Sequence, residues 1–324
     1  MDRLWLALAA IVGVPVVTCG YVVLAERFLG LLAPRVQRRL RPWFWLAPAL
    51  VLLTVFLVYP TIDTLRLSFL DAQSTEFVGF ANYAALAVDS GLQTTVRNNL
   101  LWLVVFTAVT VALGLVIAVL TDRRRYESVA KAIVFLPMAV SFVGAGVIWK
   151  FVYAFEPAGT PQTGIVNAAL VATVPGFQPQ AWLIQDPINN LALIAVGVWV
   201  WTGFCTVILS AALKGLSREV LEAARVDGAN AVQIFRLVTV PLIAPTIAVV
   251  TTTMVIFALK AFDIVYVMTS GNFNTDVLAN RMYTEMFTND DFGRAAAIAV
   301  ILLVAVAPVM AINVQRFRRQ EEQN

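Results

Sequence analysis

The side chains able to do chemistry in this sequence are few, and what is missing narrows the options as much as what is present. None of the four lysines, Lys131, Lys150, Lys214 and Lys260, is followed by Ser or Thr. The Gly-rich loop ending in Lys-Ser/Thr that cradles nucleotide phosphates is therefore absent. There is no histidine, which removes the commonest general base and metal ligand. Cys19 and Cys205 both lie in apolar runs, a poor setting for a disulfide framework or a metal site. No catalytic residues, metal ligands or cofactor are expected on this chain. What remains suits recognition. Trp199 and Trp201 sit about 12–15 Å from the end of an apolar run at roughly 1.5 Å per residue, too deep for the interfacial belt that explains Trp43 and Trp45. An indole can cover the C–H face of a sugar while hydroxyls such as those of Thr202 and Thr206 read its polar edge. Residues two apart on a helix point apart, so one of the two indoles is expected to pack against helices or lipid. Lys260 and Asp263 stand three residues apart at the end of another run, where they can pair with each other or line a solute path. Lys150 reads as a snorkelling anchor.

The elements that must hold these residues are membrane helices. The chain is 60% hydrophobic and 13% charged, with a mean hydropathy of +0.81, against about a quarter charged in soluble domains. The net charge of +3 points to no acidic or nucleic-acid partner. A bilayer core needs roughly 20 apolar residues per helix, and seven runs qualify: 4–25, 43–62, 100–120, 132–151, 191–213, 238–259 and 295–312. The expected fold is all-α, a polytopic bundle of about seven transmembrane helices, one N-terminal helix plus a core of six. Residues 27–41, 121–131, 214–236 and the tail after 313 hold five, four, four and three Lys or Arg, 16 of the 23 in the chain. By the positive-inside bias these segments are cytoplasmic, as is the C-terminus. The first run is read as a retained helix, the alternative being a cleaved leader for which Arg3 makes a meagre basic start. The expected division is 1–42, 43–316 and a tail 317–324. The outward connections, 63–99, 154–190 and 260–294, are long enough to rim a vestibule or dock an outer partner, or are plain connectors. No internal repeat is evident, which counts against a secondary transporter. So does the scarcity of carboxylates within the runs.

One connection, 214–241, is more than a basic linker. Ser217 is placed as an N-cap with Glu219 in the first turn, and apolar Val220, Leu221, Ala224 and Val226 alternate with Arg218, Glu222 and Arg225 in a short amphipathic helix. Asp227-Gly228 is a turn dipeptide. Asn230 is placed to cap a second short helix carrying Ile234, Phe235 and Leu237. Ala223, Ala224 and Gly228 keep this knob low enough for another backbone to come close. A plain amphipathic connection lying on the headgroups is the alternative.

Glu222-Ala223-Ala224, three residues, Gly228, nine residues and then Val238-Thr239-Val240-Pro241 resembles the EAA signature of binding-protein-dependent ABC importer permeases. Val238 and Val240 stand where that family usually has other aliphatics. Gly79-Phe80-Ala81-Asn82-Tyr83, Phe135-Leu136-Pro137 with Trp149, Gly164-Ile165-Val166-Asn167 and Phe262 to Thr269 resemble the maltose-type sugar branch. Gly271-Asn272-Phe273 departs from the Gly-Gly-Pro of that branch and, with Asn280-Arg281-Met282-Tyr283, is similar to α-glucoside permeases. The resemblance runs from about Trp43 to the C-terminus. It implies a multi-pass permease of the bacterial cytoplasmic membrane, importing a sugar such as maltose or trehalose handed over by a solute-binding protein. Its partners would be a second permease subunit in a heterodimer, two ATP-binding-cassette subunits that bind ATP and Mg, and membrane lipid. It also implies that Glu222, Ala223, Ala224, Arg225, Asp227 and Gly228 seat against the ATPase, and that the span with Trp199 and Trp201 lines the solute path. A permease of the same architecture for phosphate or amino acids, a self-sufficient transporter and a membrane-embedded enzyme are the rival readings.

Overall fold

The computed structural model describes residues 13, 16, 19–122 and 124–321, nearly all helical, with one isolated bridge between Leu70 and Phe77. The first predicted crossing, 4–25, lies mostly outside the described residues. Two compact units are present, residues 1–66 and 67–324.

In the first unit, helical residues 19–30 turn at Leu31–Ala33 into α1 (Pro34–Leu67). Pro34 begins the helix where its missing N–H is no loss. The two helices are pinned by Glu26, whose carboxylate takes a forked pair of bonds from Arg41 and a third from the Trp45 indole, each at 3.1 Å. Phe28 stacks on Phe44 beside them. The run 43–62 packs with the helix before it, inside the unit that ends at residue 66. The helix continues through Pro42 and Pro48 and widens into a π turn at Thr54–Val58, just before Pro60 withholds another backbone donor.

The second unit contains α2 (Ala81–Val88), α3 (Ser90–Thr121), α4 (Glu127–Ala139), α5 (Phe142–Val152), α6 (Ile165–Thr173), α7 (Ile188–Lys214), α8 (Arg218–Val226), α9 (Ala231–Leu259), α10 (Asp263–Met268), α11 (Leu278–Phe287) and α12 (Phe292–Glu321). Among the described residues α1, α3, α7 and α9 are long and apolar enough to cross a bilayer, and α12 carries a shorter apolar stretch, Phe292–Pro308. The run 132–151, expected as one crossing, is instead two helices, α4 and α5, bent by 101°. Pro137 cannot donate into the α4 ladder; the chain tightens into a 3₁₀ turn, extends through Val140 and restarts where the Ser141 hydroxyl accepts from the Gly144 N–H at 3.0 Å.

The most deeply packed helix is α7, and its neighbours reach it through glycines. A Cβ on Gly114 of α3 would stand 2.4 Å from the Cβ of Cys205, and one on Gly203 would stand 2.4 Å from the Val134 carbonyl oxygen of α4. Small residues of this kind let membrane helices approach closely, where packing rather than water drives association.

The long connections at the end opposite 214–241 are folded. They hold α2, α6, α10 and α11, and the turn 270–276 is clamped by asparagines from α3 and α7. Asn98 Nδ2 donates to the carbonyls of Asn274 (2.7 Å) and Asp276 (2.9 Å), Asn189 Nδ2 to that of Phe273 (2.7 Å), and Asn99 Oδ1 accepts from the Leu278 N–H (2.7 Å). Ser270, Gly271, Phe273 and Asn274 all have positive φ in this turn, so it needs these external bonds to persist. Asp276 is half-buried there, and the loss of water pushes its carboxyl pKa up.

Gly203→Ala should lower the thermal midpoint of the purified protein in detergent by several degrees, from an overpacking cost of about 1–3 kcal/mol. Gly215→Ala, where the nearest atom to a new Cβ is 3.4 Å away, should leave the midpoint within about a degree.

Candidate functional site

The loop 214–241 folds as two helical pieces around a tight turn. The turn closes α8 in a Schellman arrangement: the Ala229 N–H donates to the Ala224 carbonyl at 3.1 Å, and the Gly228 N–H to that of Arg225 at 3.0 Å. Gly228 has φ +84°, a left-handed conformation that glycine adopts without strain and few side chains tolerate, and open space surrounds it. Asn230 then starts α9 with a full capping box, its side chain accepting from the Gln233 N–H at 2.9 Å while Gln233 Oε1 accepts from the Asn230 N–H at 2.8 Å. Ser217 stands at the N-cap of α8, but its hydroxyl is turned to the Glu219 carboxylate (3.4 Å) and makes no backbone cap. Glu222, Ala223, Arg225, Asp227 and Gly228 are exposed, with Ala224 half-buried. Val226 at the turn is 87% exposed, an apolar tip that no described residue covers. A π turn at Ile234–Thr239 leads to Pro241 and into the apolar part of α9.

Deeper in the bundle a cavity of about 320 Å³ is lined by Trp102, Phe142, Trp201, Phe257, Lys260 and Asp263, among others. Trp201 lies against Phe257 with ring centroids 3.8 Å apart and meets Phe142 at 6.1 Å. A π turn in α3, Trp102–Phe106, places both of its aromatic ends on this cavity. The structure therefore brings together Trp201, Lys260 and Asp263 but separates them from Trp199 and Thr202. Trp199 packs edge-on against Trp149 (5.7 Å) and, with Thr202, lines a different apolar hollow of about 600 Å³ between α3, α4 and α7. The hydroxyls of Thr202 and Thr206 donate back to the Val198 and Thr202 carbonyls of their own helix, at 2.6 and 2.9 Å.

Of the two readings of Lys260 and Asp263, the i, i+3 ion pair does not form. Lys260 caps the C-terminus of α9, and the chain leaves the helix through Ala261 and Phe262 before Asp263 begins α10, so the three-residue spacing is not helical. Both residues line the cavity, and neither has an ion-pair partner among the described residues. Sequence reasoning missed Trp102, Phe142 and Phe257. The indole N–H of Trp102 is buried without a hydrogen-bond partner among the described residues, and its place one helical turn after the polar pair Asn98-Asn99 was the available hint.

Residues 110–320 match the family described as binding-protein-dependent transport system inner membrane component. The chain belongs to this permease family. The permease is 54% identical over 278 residues to the osmoprotective compounds uptake permease protein GgtC of Synechocystis sp., covering 86% of this chain and 99% of that one. It is 47% identical over 287 residues to the α-glucoside transport system permease protein AglF of Rhizobium meliloti, covering 88% and 85%. Its fold matches a chain of a bacterial ABC transporter involved in importing the acidic polysaccharide alginate, with TM-score 0.75 and 22% identity over 88% of this chain and 99% of that one. The permease is thus a multi-pass membrane transport component, as its composition and helices required.

Gly228→Val should cost about 1–2 kcal/mol through the left-handed backbone it must adopt, seen as faster amide exchange at residues 223–233. Gly228→Asn, which tolerates that conformation, should leave exchange close to wild type.

Proposed function

We propose that this permease imports a small polar solute bearing a glucosyl group, an α-glucoside such as maltose or trehalose or a related osmoprotective compound. The observation that carries the reading is the cavity around Trp201, where aromatic faces from α3, α5, α7 and α9 meet the charged residues Lys260 and Asp263. Aromatic walls suit the C–H faces of a pyranose, and Lys260 and Asp263 suit its hydroxyls. The names of the two relatives, one for osmoprotective compounds and one for α-glucosides, support the solute class. A volume of about 320 Å³ is at the small end of ligand sites.

The chain has no phosphate loop, so ATP and Mg act on separate ATPase subunits, while a solute-binding protein delivers cargo and a second permease completes the pathway. In this reading α8 is the contact with the ATPase. Val226, Ala223 and Ala224 form a low apolar surface, Glu222, Arg225 and Asp227 give it polar edges, and Gly228 holds the turn. The loop transmits a stroke only if the ATPase binds it differently in its two states. With this loop inward, the C-terminus is cytoplasmic.

The test is reconstitution in proteoliposomes with partner permease, ATPase and binding protein, measuring uptake and ATP hydrolysis with candidate disaccharides. Trp201→Ala should reduce uptake about tenfold, the loss of roughly 1.4 kcal/mol of stacking, and Trp199→Ala much less. Gly228→Val and Glu222→Lys should leave the chain inserted while hydrolysis no longer drives uptake. Transport by this chain alone, without an ATPase, would refute the proposal.

A further inference from the structure

Glu127 opens α4, and only 12% of its side chain is exposed. Its Oε1 is shared by two ammonium groups: Lys131, one turn along the same helix, and Lys214 at 2.7 Å. Lys214 is the last residue of α7 and the first of the loop 214–241. The contact therefore joins the bent helix pair to the base of the loop. A nearly buried carboxylate holding two lysines resists separation, because parting them leaves charge in a poorly solvated place.

A second fixed point lies farther along the same two helices, where Gly203 of α7 meets the Val134 carbonyl and Phe135 Cα of α4. Residues 127 and 134 are about 10 Å apart along the helix at roughly 1.5 Å per residue. Two attachments at that separation stop α4 from pivoting on α7. The other arm of the pair, α5, makes its close backbone approach elsewhere: a Cβ on its Gly146 would stand 2.9 Å from Val267 Cγ1 of α10. It meets α7 through side chains, Trp149 against Trp199 and the hydroxyl of Tyr153, just after the helix, donating to the Ala192 carbonyl. Between the arms lie the 3₁₀ turn Leu136–Ala139 and the extended residues Val140 and Ser141, with no continuous helical ladder. The cavity sits on this seam, lined by Phe142 from α5, Trp201 from α7 and Ile264 from α10.

We propose that Glu127 is a positioning residue of the transport cycle: by holding Lys131 and Lys214 it makes α4, α7 and the base of the loop one rigid body, so that a loop displacement is absorbed at Leu136–Ser141 and moves Phe142 relative to Trp201. A hinge of this kind needs a few non-helical residues between two packed bodies. The inference rests on the ATP-coupled import proposed above.

The experiment is the ratio of solute imported to ATP hydrolysed, in proteoliposomes holding the complete transporter. Lys214→Gln removes only the interhelical limb from a half-exposed lysine and leaves Glu127 with Lys131, so folding should survive. It should lower the ratio at least about threefold, and Glu127→Gln should lower it as much or more. The double variant Glu127→Lys with Lys214→Glu keeps one carboxylate and two lysines in the cluster and should restore the ratio. An unchanged ratio in Lys214→Gln overturns the proposal. So does a double variant that folds and hydrolyses ATP but stays uncoupled, which would place the effect in a direct contact of Lys214 with another subunit. Absence of ATP-dependent uptake in the wild type would instead defeat the import reading, before any variant is compared.

Discussion

The close approach of α7 to its neighbours is the constraint on which the second unit depends. Hydrocarbon offers no hydrophobic reward for bringing one apolar helix against another, so association comes from packing detail. Gly114 against Cys205 and Gly203 against Val134 supply that detail. Gly197 does the same for the cavity, since a Cβ there would stand 3.1 Å from the Trp102 ring. The indole of Trp102 can lie beside α7 only because this position carries no side chain. Scaffold and cavity wall are therefore set by the same helix.

A tightly packed bundle cannot change state by general softening, so its freedom must be local. The structure concentrates it in places where the α-helical ladder is interrupted: the break between α4 and α5, the π turn before Pro241 and the ends of α9 and α10 around Lys260 to Asp263. Each lies beside the cavity or the loop. The bundle thus combines rigid bodies held by glycine contacts with a small number of joints, an arrangement that suits alternating exposure of a central site.

Local features were legible in the sequence and distant ones were not. The Gly228 turn and the Asn230 cap follow from residues within a few positions of each other, and both formed where the spacing placed them. Ser217 shows the limit even there, because Glu219 competed for its hydroxyl. The helix break at Pro137 was visible as a proline but was masked by the apolar run around it, and hydropathy carries no information on direction. Of the two readings of Lys260 and Asp263, the mutual ion pair did not form because an i, i+3 contact presumes that the helix continues. Trp102, Phe142 and Phe257 come from three separate runs, and nothing in one run announces the others.

The asparagine clamp around residues 270–276 has a consequence for how the protein is made. Asn98 reaches Asn274 and Asp276 across 176 and 178 positions of chain, and Asn189 reaches Phe273 across 84. A ribosome delivers the earlier helices long before the segment they grip. The amide side chains of Asn98, Asn99, Asn189 and Asn190 must wait, already threaded into the membrane, until that turn emerges. This face therefore closes only after that turn has been made, and a nascent chain stalled before residue 270 would carry four polar side chains still lacking those partners.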